Sequence, residues 1–531
     1  MAAHDDDDFA GAIAGETRPL LERIDPIVFP DDDDDDSLDP VEATDLPAEF
    51  VPSLAFQWRV SLTATAIVTI IMGGQLIMNP ATQEIMEDII CHDKFPDHTI
   101  GSYNPVDPRC KDNKVQDVLA MVRAWSGAAE MIVPLFVQLP FGVVADKYGR
   151  KPVMFSALVG VLFSISWTIF VLANPLRFSV WATIYGNIAY LIGGGGTVAV
   201  AMCYTVVTDA IPAANRSTVF YYIIASSRII TVLLTPLSAY LLNIDPWMTQ
   251  SSGFIVMISG VFLTLMLPET LKLRQKADDK RRTARDVSTA RPLVTTPEPG
   301  ASSSTLSTFI RRSWSSAKND MSHIWHFLLG SKSIMALIVA SGFLFPVRIS
   351  FAQDVTQYMT KRYNWTWAEA TYVMGIENAT GVFALMVLLP IFGHQLTKRG
   401  YSTLRKDLLI AQVASVFIVF GTVLIAFAFV PQMAIVALVL YSFGAGYAAV
   451  IRSILSMIVE PHTIGSLNTV LAMLESSLGA VFSPPLGWLL KTGFNLGGVW
   501  MGLPYLVVSV AAVATMLLTL TYRIPKSFGQ I

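Results

Sequence analysis

The apolar residues of this chain form twelve long runs separated by polar connections, instead of the 3.6-residue stripes of soluble helices. A helix rises ~1.5 Å per residue, so about 20 apolar residues cross a hydrocarbon core of ~30 Å. Only 15 % of the 531 residues are charged, against about 25 % in soluble domains. The runs therefore predict an all-α membrane protein with 12 transmembrane helices. The predicted spans are 58–79, 124–144, 152–173, 180–207, 218–242, 251–267, 333–358, 369–393, 406–430, 433–459, 466–490 and 499–521.

A long polar segment divides these spans into two sets of six. The predicted organisation is a disordered acidic cytoplasmic tail at 1–57, six-helix bundles at 58–267 and 333–521, a cytoplasmic linker at 268–332 and a cytoplasmic tail at 522–531. The two halves repeat weakly, since Asp209 precedes Pro212 at the end of the fourth span and Glu460 precedes Pro461 at the end of the tenth. This repeat predicts two pseudo-symmetric bundles around a site at mid-depth.

Lysine and arginine are concentrated in connections that an even number of spans places on one side, at 147–151, 272–332 and 398–406. Cytoplasmic connections carry such an excess. Both termini are therefore predicted to be cytoplasmic, with the chain in the plasma membrane or a vacuolar or lysosomal membrane. The N-terminal tail contains Glu16, Leu20 and Leu21, a spacing similar to the acidic dileucine signal that sorting adaptors bind. A tail that is merely solvated is the alternative.

The connection between the second and third spans, residues 142–151, reads GVVADKYGRK. Glycine allows a tight reversal of the chain, the acid can face a helix N-terminus, and the bases mark the cytoplasmic side. A basic turn that only fixes the topology is the alternative. The informative residues are two glycines, one acid and three bases: Gly142, Gly149, Asp146, Lys147, Arg150 and Lys151.

This segment resembles the G-x-x-x-D-[RK]-x-G-[RK]-[RK] motif of the major facilitator superfamily (MFS), and the resemblance covers residues 58–521. It implies the MFS fold and transport by alternating access, in which the turn latches the outward-facing state and releases as the inner side opens. More narrowly, the chain resembles the proton-coupled folate and haem transporter-like group and its fungal relatives. These share a long first outer loop with two cysteines, and arginines in spans seven and ten.

Seven ionisable side chains lie inside the apolar spans: Glu130, Arg228, Arg348, Asp354, Glu377, Arg452 and Glu475. Each costs about 2.5–3.5 kcal/mol on insertion scales, so these groups should face the bundle interior or a wet cavity. Glu130, Glu377 and Glu475 are the candidates for carrying a proton, because an apolar wall disfavours an ionised carboxylate. Arg228 and Asp354 are candidates for charge pairing. Static ion pairs that only hold the fold are the alternative.

The resemblance implies that the first, fourth, seventh and tenth helices line the cavity. The substrate-binding residues would then be Gln75, Asn79, Asn187, Arg348 and Arg452. Two arginines favour a carboxylate or phosphate on the substrate. We therefore predict a secondary active transporter for the proton-coupled movement of a small organic anion.

Two alternatives remain at this point: an efflux carrier for hydrophobic compounds and a non-transporting receptor or scaffold. Drug-exporting antiporters usually carry an arginine in the fourth helix and a G-x-x-x-G-P run in the fifth. Neither is present in the corresponding spans of this chain. The resemblance therefore favours uptake, or export from a vacuole, over efflux from the cell.

Cys91 and Cys110 share the first outer loop, which faces an oxidising compartment, so a disulfide is predicted, with two free thiols as the alternative. Asn364 begins a glycosylation sequon on the same side. The sequence indicates no cofactor or metal site, no catalytic spacing and no nucleic-acid surface, so no enzymatic reaction is expected. The expected partners are a small solute, H+ and the bilayer, and the chain is expected to be a monomer.

Overall fold

The computed structural model describes residues 52–101, 107–271, 332–458 and 464–522. The helices are numbered here by membrane crossing, and four crossings consist of two or three segments. They are α1 (Leu54–Lys94), α2 (Asn113–Tyr148), α3 (Arg150–Ala173), α4 (Val180–Ile192 and Gly195–Ala210), α5 (Ala213–Ile244), α6 (Pro246–Leu263), α7 (Lys332–Gln353 and Val355–Tyr363), α8 (Trp367–Phe383, Ala384–Leu388 and Leu389–Lys398), α9 (Thr403–Ala426), α10 (Pro431–Phe443 and Tyr447–Ile458), α11 (Ile464–Leu496) and α12 (Leu503–Thr521).

Eleven of the crossings in the described residues are long and apolar enough to span a bilayer. The twelfth, α11, is 33 residues long and contains Pro484 and Pro485. It lies along α2, just as α5 lies along α8, and these two pairs join the bundles α1–α6 and α7–α12. The predicted all-α fold with twelve transmembrane helices in two six-helix bundles is confirmed.

Each bundle has its own apolar core. Ile67, Val153 and Val206 are fully buried in the first, and Leu337 and Ile454 in the second. A third cluster, at the end of the molecule that carries Cys91 and Cys110, contains residues of both bundles. We call this the disulfide end, and the opposite end, which carries the 142–151 turn, the motif end.

The first outer loop is shorter than the sequence predicted. The predicted loop covered residues 80–123, whereas α1 continues to Lys94 and α2 already begins at Asn113. Glu84, Glu87 and Asp88 lie within the predicted loop, but all three side chains are buried in the helical part. Glu87 is held by Lys111 and Asp88 by His98, whereas Oε2 of Glu84 has no hydrogen-bond partner among the described residues. Burial in the protein, instead of exposure to water, allows acidic residues to continue a membrane helix.

The predicted tails and linker lie mostly outside the described residues. Residues 1–51, which include Glu16, Leu20 and Leu21, are not described, nor are residues 272–331 and 523–531. The boundary predicted at residue 58 differs slightly from the structure, because α1 begins at Leu54.

Helix α4 is interrupted by a run of glycines that lies against α3. Gly194 and Gly195 have φ angles of +87° and +68°, a left-handed conformation that favours glycine. A Cβ atom on Gly193 would overlap the backbone of Ala157 and Ser156 in α3. The sequence GGGG therefore permits both the break in the helix and the close approach of two backbones.

We predict that Gly193→Ala lowers the melting temperature of the detergent-purified protein, because the added methyl group must displace the α3 backbone at a cost of about 1–3 kcal/mol. Gly196→Ala is the matched control, since a Cβ at that position would meet no described atom within 4 Å. Equal melting temperatures for the two variants would contradict this account of the α3–α4 contact.

Candidate functional site

A polar cavity of about 320 Å³ lies inside the first bundle, bordered by α1, α2, α3, α4, α6 and one turn of α7. Its wall includes four of the residues that the sequence singled out: Gln75, Asn79, Glu130 and Asn187. Amide side chains offer both donors and acceptors, so the wall can hold a polar solute in a fixed orientation. Asn79 also accepts a hydrogen bond of 2.5 Å from the amide of Gln83.

Glu130 provides the carboxylate of this cavity. It lies 17 residues after the first residue of α2 and 18 before the last, and therefore halfway along the helix. Within the described part of the chain, no basic side chain comes within 4 Å of its carboxylate. A carboxylate that faces a cavity and is not paired with a cation can exchange a proton with any water that enters.

Arg123 lies on the same cavity wall and was missed by the sequence analysis, because the second span was predicted to begin at residue 124. Its Nη1 donates a hydrogen bond of 3.0 Å to Oε1 of Gln357, and its guanidinium lies 5.9 Å from the ring of Trp367. Its charge also acts on Asp354, which is buried where the two segments of α7 meet. A span boundary set one helical turn earlier would have found it.

Arg348, Arg452 and Glu475 form a separate cluster in the second bundle. Glu475 Oε1 lies 2.7 Å from Arg452 Nη2 and 3.8 Å from Arg348 Nη1. The two arginine side chains are 46 % and 45 % exposed. The two arginines predicted to bind substrate thus share one carboxylate, which leaves one positive charge in excess at a solvent-accessible position.

The two remaining charged residues predicted inside the spans, Arg228 and Glu377, lie on α5 and α8. Arg228 is close enough for its charge to act on the carboxylate of Glu377. The backbone carbonyl of Glu377 accepts a hydrogen bond of 3.0 Å from Ser442. This position, at the contact between α5 and α8, places the pair at a seam between the bundles and away from the polar cavity.

The 142–151 turn is tied to the end of α6. Gly149 has a φ of +118°, and a Cβ there would lie 2.5 Å from Oε2 of Glu269. Oε1 and Oε2 of Glu269 accept hydrogen bonds from the backbone amides of Arg150, at 3.1 Å, and Lys151, at 3.2 Å. A carboxylate at a helix N-terminus is favoured by the macrodipole. The acid that faces the α3 N-terminus is therefore Glu269, and a helix N-terminus as the partner of Asp146 stays a prediction.

Asp146 instead pairs with Arg150 one turn later, at 2.6 Å. The Asp146 side chain is 61 % exposed, whereas that of Arg150 is 1 % exposed. Arg150 Nε also lies 3.3 Å from Asp209 at the end of α4. The turn thus links α2, α3, α4 and the end of α6 into one unit at the motif end. Gly142, Lys147 and Lys151 belong to the same turn and its flanking helices.

The two bundles meet through polar contacts at the disulfide end. Glu87 and Lys111, both buried, form an ion pair of 2.8 Å, and the indole nitrogen of Trp367 donates a 2.8 Å hydrogen bond to Glu87. From the second bundle, Lys361 donates to the carbonyl oxygen of Lys111, and Gln357 donates to that of Gln116 at 2.9 Å. These contacts close the disulfide end, while Arg348 and Arg452 remain exposed.

Cys91 and Cys110 are joined by a disulfide in the structure. Beside it, hydrogen bonds from the Arg109 guanidinium lower the pKa of Asp107 to about 2, so this carboxylate stays ionised. Asn364 is exposed and ends the second segment of α7 with a φ of +53°. Its glycosylation stays a prediction.

An all-helical bundle with twelve crossings and a polar cavity at mid-depth is the architecture of a membrane transporter. The family profile of the Major Facilitator Superfamily matches residues 124–484. The chain therefore belongs to this superfamily.

Two curated fungal relatives extend the match along most of the chain. The MFS efflux pump atnC of Emericella nidulans is 24 % identical over 472 residues, which cover 88 % of each chain. The efflux pump ustT of Aspergillus flavus is 27 % identical over 440 residues, covering 80 % of this chain and 81 % of the relative. Among solved structures, a D-xylose-proton symporter superposes with a TM-score of 0.56 at 13 % identity, covering 89 % of this chain and 99 % of the symporter.

We predict that Trp367→Phe opens the disulfide end. The change keeps an aromatic ring but removes the donor to the buried Glu87 carboxylate, a loss of about 1–3 kcal/mol. The reporter is Asn79→Cys in a chain that also carries Cys203→Ser. With Trp367→Phe added, this cysteine should react about tenfold faster with a membrane-impermeant thiol reagent added on the disulfide side than it does with Trp367 present, since ~1.4 kcal/mol is a factor of ten. Trp365→Phe is the control, because that ring packs against Tyr363 of its own bundle. The same acceleration in both variants would refute the idea that the hydrogen bond from Trp367 to Glu87 keeps the disulfide end closed.

Proposed function

We propose that this transporter exports a small organic solute in exchange for protons. Two curated relatives that match most of the chain are named efflux pumps, and this favours export over the uptake that the sequence analysis preferred. The single observation that carries the coupling is the position of Glu130, whose carboxylate has no basic side chain within 4 Å in the described residues and lies in the same cavity as the amides of Gln75, Asn79 and Asn187.

The closed disulfide end supports a transport cycle by alternating access. In this state the solute would enter from the motif end, which the positive-inside rule assigns to the cytoplasm. Transport to the other side then requires that the contacts of Trp367, Gln357 and Lys361 with the first bundle break, while contacts at the motif end form. The 142–151 turn, held rigid by Glu269, would supply the latch in that second state.

The coupling follows from competition for one carboxylate. A neutral or cationic solute that hydrogen-bonds to ionised Glu130 is bound best when the proton has left, so proton and solute exclude each other. Their alternate binding moves them in opposite directions across the membrane. A cavity of about 320 Å³ is at the small end of the ~300–1,000 Å³ typical of small-molecule sites.

A second candidate is the cotransport of a small organic anion with a proton, the function predicted from the sequence. The excess positive charge of the cluster formed by Arg348, Arg452 and Glu475 favours it. An anion that binds the arginines displaces Glu475, whose carboxylate then takes up a proton. Anion and proton are in that case bound together and cross in the same direction.

We predict that Glu130→Gln abolishes proton-coupled movement and leaves downhill exchange intact, because the amide preserves the hydrogen bonds but does not ionise. The solute is first identified as the compound that accumulates in cells lacking the protein. Proteoliposomes with an internal pH-sensitive dye then report proton flux when this compound is added.

Antiport and cotransport give proton fluxes of opposite sign in this assay. Glu475→Gln and Glu377→Gln are measured beside Glu130→Gln. Unchanged coupling in Glu130→Gln, with loss in Glu475→Gln, would reject the exchange mechanism and support cotransport through the arginine cluster. Loss of coupling in Glu377→Gln alone would reject both assignments.

A further inference from the structure

The second bundle contains an apolar groove of about 370 Å³ between α8, α9 and α10. Gln395 is its polar residue, and the other lining residues are aliphatic, aromatic or glycine. The groove shares no residue with the polar cavity of the first bundle. It lies in the half of α8 and α9 that adjoins the motif end, since α8 ends at Lys398 and α9 begins at Thr403.

An irregular turn and a glycine create the groove. The π-helical segment Ala384–Leu388 widens α8 at this level. Gly446, between the two segments of α10, packs against Leu389 of α8, and a Cβ there would lie 2.7 Å from its Cδ1, so a larger residue would displace Leu389 from the groove wall. Phe417 and Phe443 meet edge to face at 5.4 Å and form the end wall.

The groove is accessible from the hydrocarbon region of the membrane. Leu388, Ile391, Phe392 and Val413 line it and are 39 %, 52 %, 39 % and 42 % exposed. In a protein that spans the membrane, the surroundings of such exposed apolar side chains are acyl chains. A groove of this shape offers them a recess instead of a flat surface.

Basic residues surround the motif-side end of the groove. Lys398 and Arg399 end α8, and Arg405 and Lys406 lie in the first turn of α9. The stem of Lys406 follows the groove, because its Cδ and the Cδ1 of Ile410 each lie 4.0 Å from the position of a Cβ on Gly393. The nearby acid is Asp407, which is 4.0 Å from Lys406 and accepts a 3.0 Å hydrogen bond from Ser453. Among the described residues, four bases against one acid make this rim strongly positive.

We propose that this groove binds one anionic phospholipid of the motif-side leaflet, with an acyl chain in the recess and the phosphate among Lys398, Arg399, Arg405 and Lys406. The apolar lining selects the chain, and the charge of the rim selects the headgroup. This assignment is independent of the transported solute.

The test measures lipid retained by the full-length chain. Protein from vesicles of dioleoylphosphatidylserine and dioleoylphosphatidylcholine in equal amounts is extracted into mild detergent and weighed by native mass spectrometry. We expect one retained phosphatidylserine per chain. Each of Lys406→Gln and Arg405→Gln should weaken phosphatidylserine binding about fivefold, the effect of one base near an anionic surface, measured as the shift in the lipid fraction that gives half occupancy. Val413→Trp, which fills the recess, should abolish retention.

Matched variants separate the groove from general effects. Val510→Trp places the same ring on an exposed face of α12, where Val510 is 71 % exposed, and Lys491→Gln removes a base from α11 towards the disulfide end. Both should retain the lipid. Equal retention of phosphatidylcholine, persistence of phosphatidylserine in Val413→Trp, or loss in both tryptophan variants would overturn the proposal. The proposal would also be overturned if the groove held a second chain or another apolar compound, seen as a dimer mass or a bound mass that disappears in Val413→Trp.

Discussion

The buried ion pair between Glu87 and Lys111 of the first bundle is the point on which residues of the second bundle converge at the disulfide end. Both side chains are less than 8 % exposed, and a buried charge is tolerated only when its partners satisfy it. Part of that satisfaction comes from the other bundle, because the indole of Trp367 donates a hydrogen bond to the Glu87 carboxylate. The ammonium of Lys361 adds a second contact between the bundles, to the backbone carbonyl of Lys111. Separation of the bundles at this end therefore exposes or orphans charge, so opening requires water or new partners. The closed end is stable because its charges are shared.

The closed disulfide end is connected to the polar groups at mid-depth through one side chain, that of Arg123. Arg123 takes part in both regions, since it lines the cavity and donates to Gln357 at the closed seam. A ligand that recruits this guanidinium would weaken the seam, and a broken seam would free the guanidinium for a ligand. Such reciprocity is what linkage requires of any coupling between binding and conformation. Glu130 lies one turn of α2 beyond Gly127. It lines the same cavity but, among the described residues, takes no part in the contact between the two bundles.

The fold could be predicted from the sequence to within a few residues where apolar runs ended at polar residues, as in α3 and α9. Hydropathy alone failed where charge is buried. Glu84 and Glu87 extend α1 inside the protein, and Arg123 lies in α2 although its sequence context suggested a loop. Three residues of the cavity wall, Gln75, Asn79 and Asn187, were predicted by span number, and Glu130 by its charge inside an apolar span. The sequence could not predict that the polar residues divide into a cavity and a separate arginine cluster, since this division depends on which face of each helix points inwards.

Long-range partners were the second source of error. Residues 142–151 predicted a tight basic turn, and the turn is there, but the anion at the α3 N-terminus is Glu269, more than a hundred residues away in sequence. Spacing within a motif gives no information on such a partner. Gly149 makes the contact possible, because a side chain at that position would collide with the Glu269 carboxylate.

The positions of the helix interruptions also depend on what surrounds the backbone. α4 breaks at Gly193 and Gly194, α7 at Asp354, and α10 between Phe443 and Tyr447. These are three of the four helices that the family resemblance assigned to the cavity. A complete break leaves backbone groups without helical partners, which lipid cannot satisfy and which a water-filled cavity or buried polar side chains can. At Asp354 the distortion is milder, because its amide still donates to the Ser350 carbonyl and its carbonyl accepts from the Tyr358 amide. The interrupted helices therefore belong on the inside of the bundle, and the breaks give them the points about which their ends can move separately.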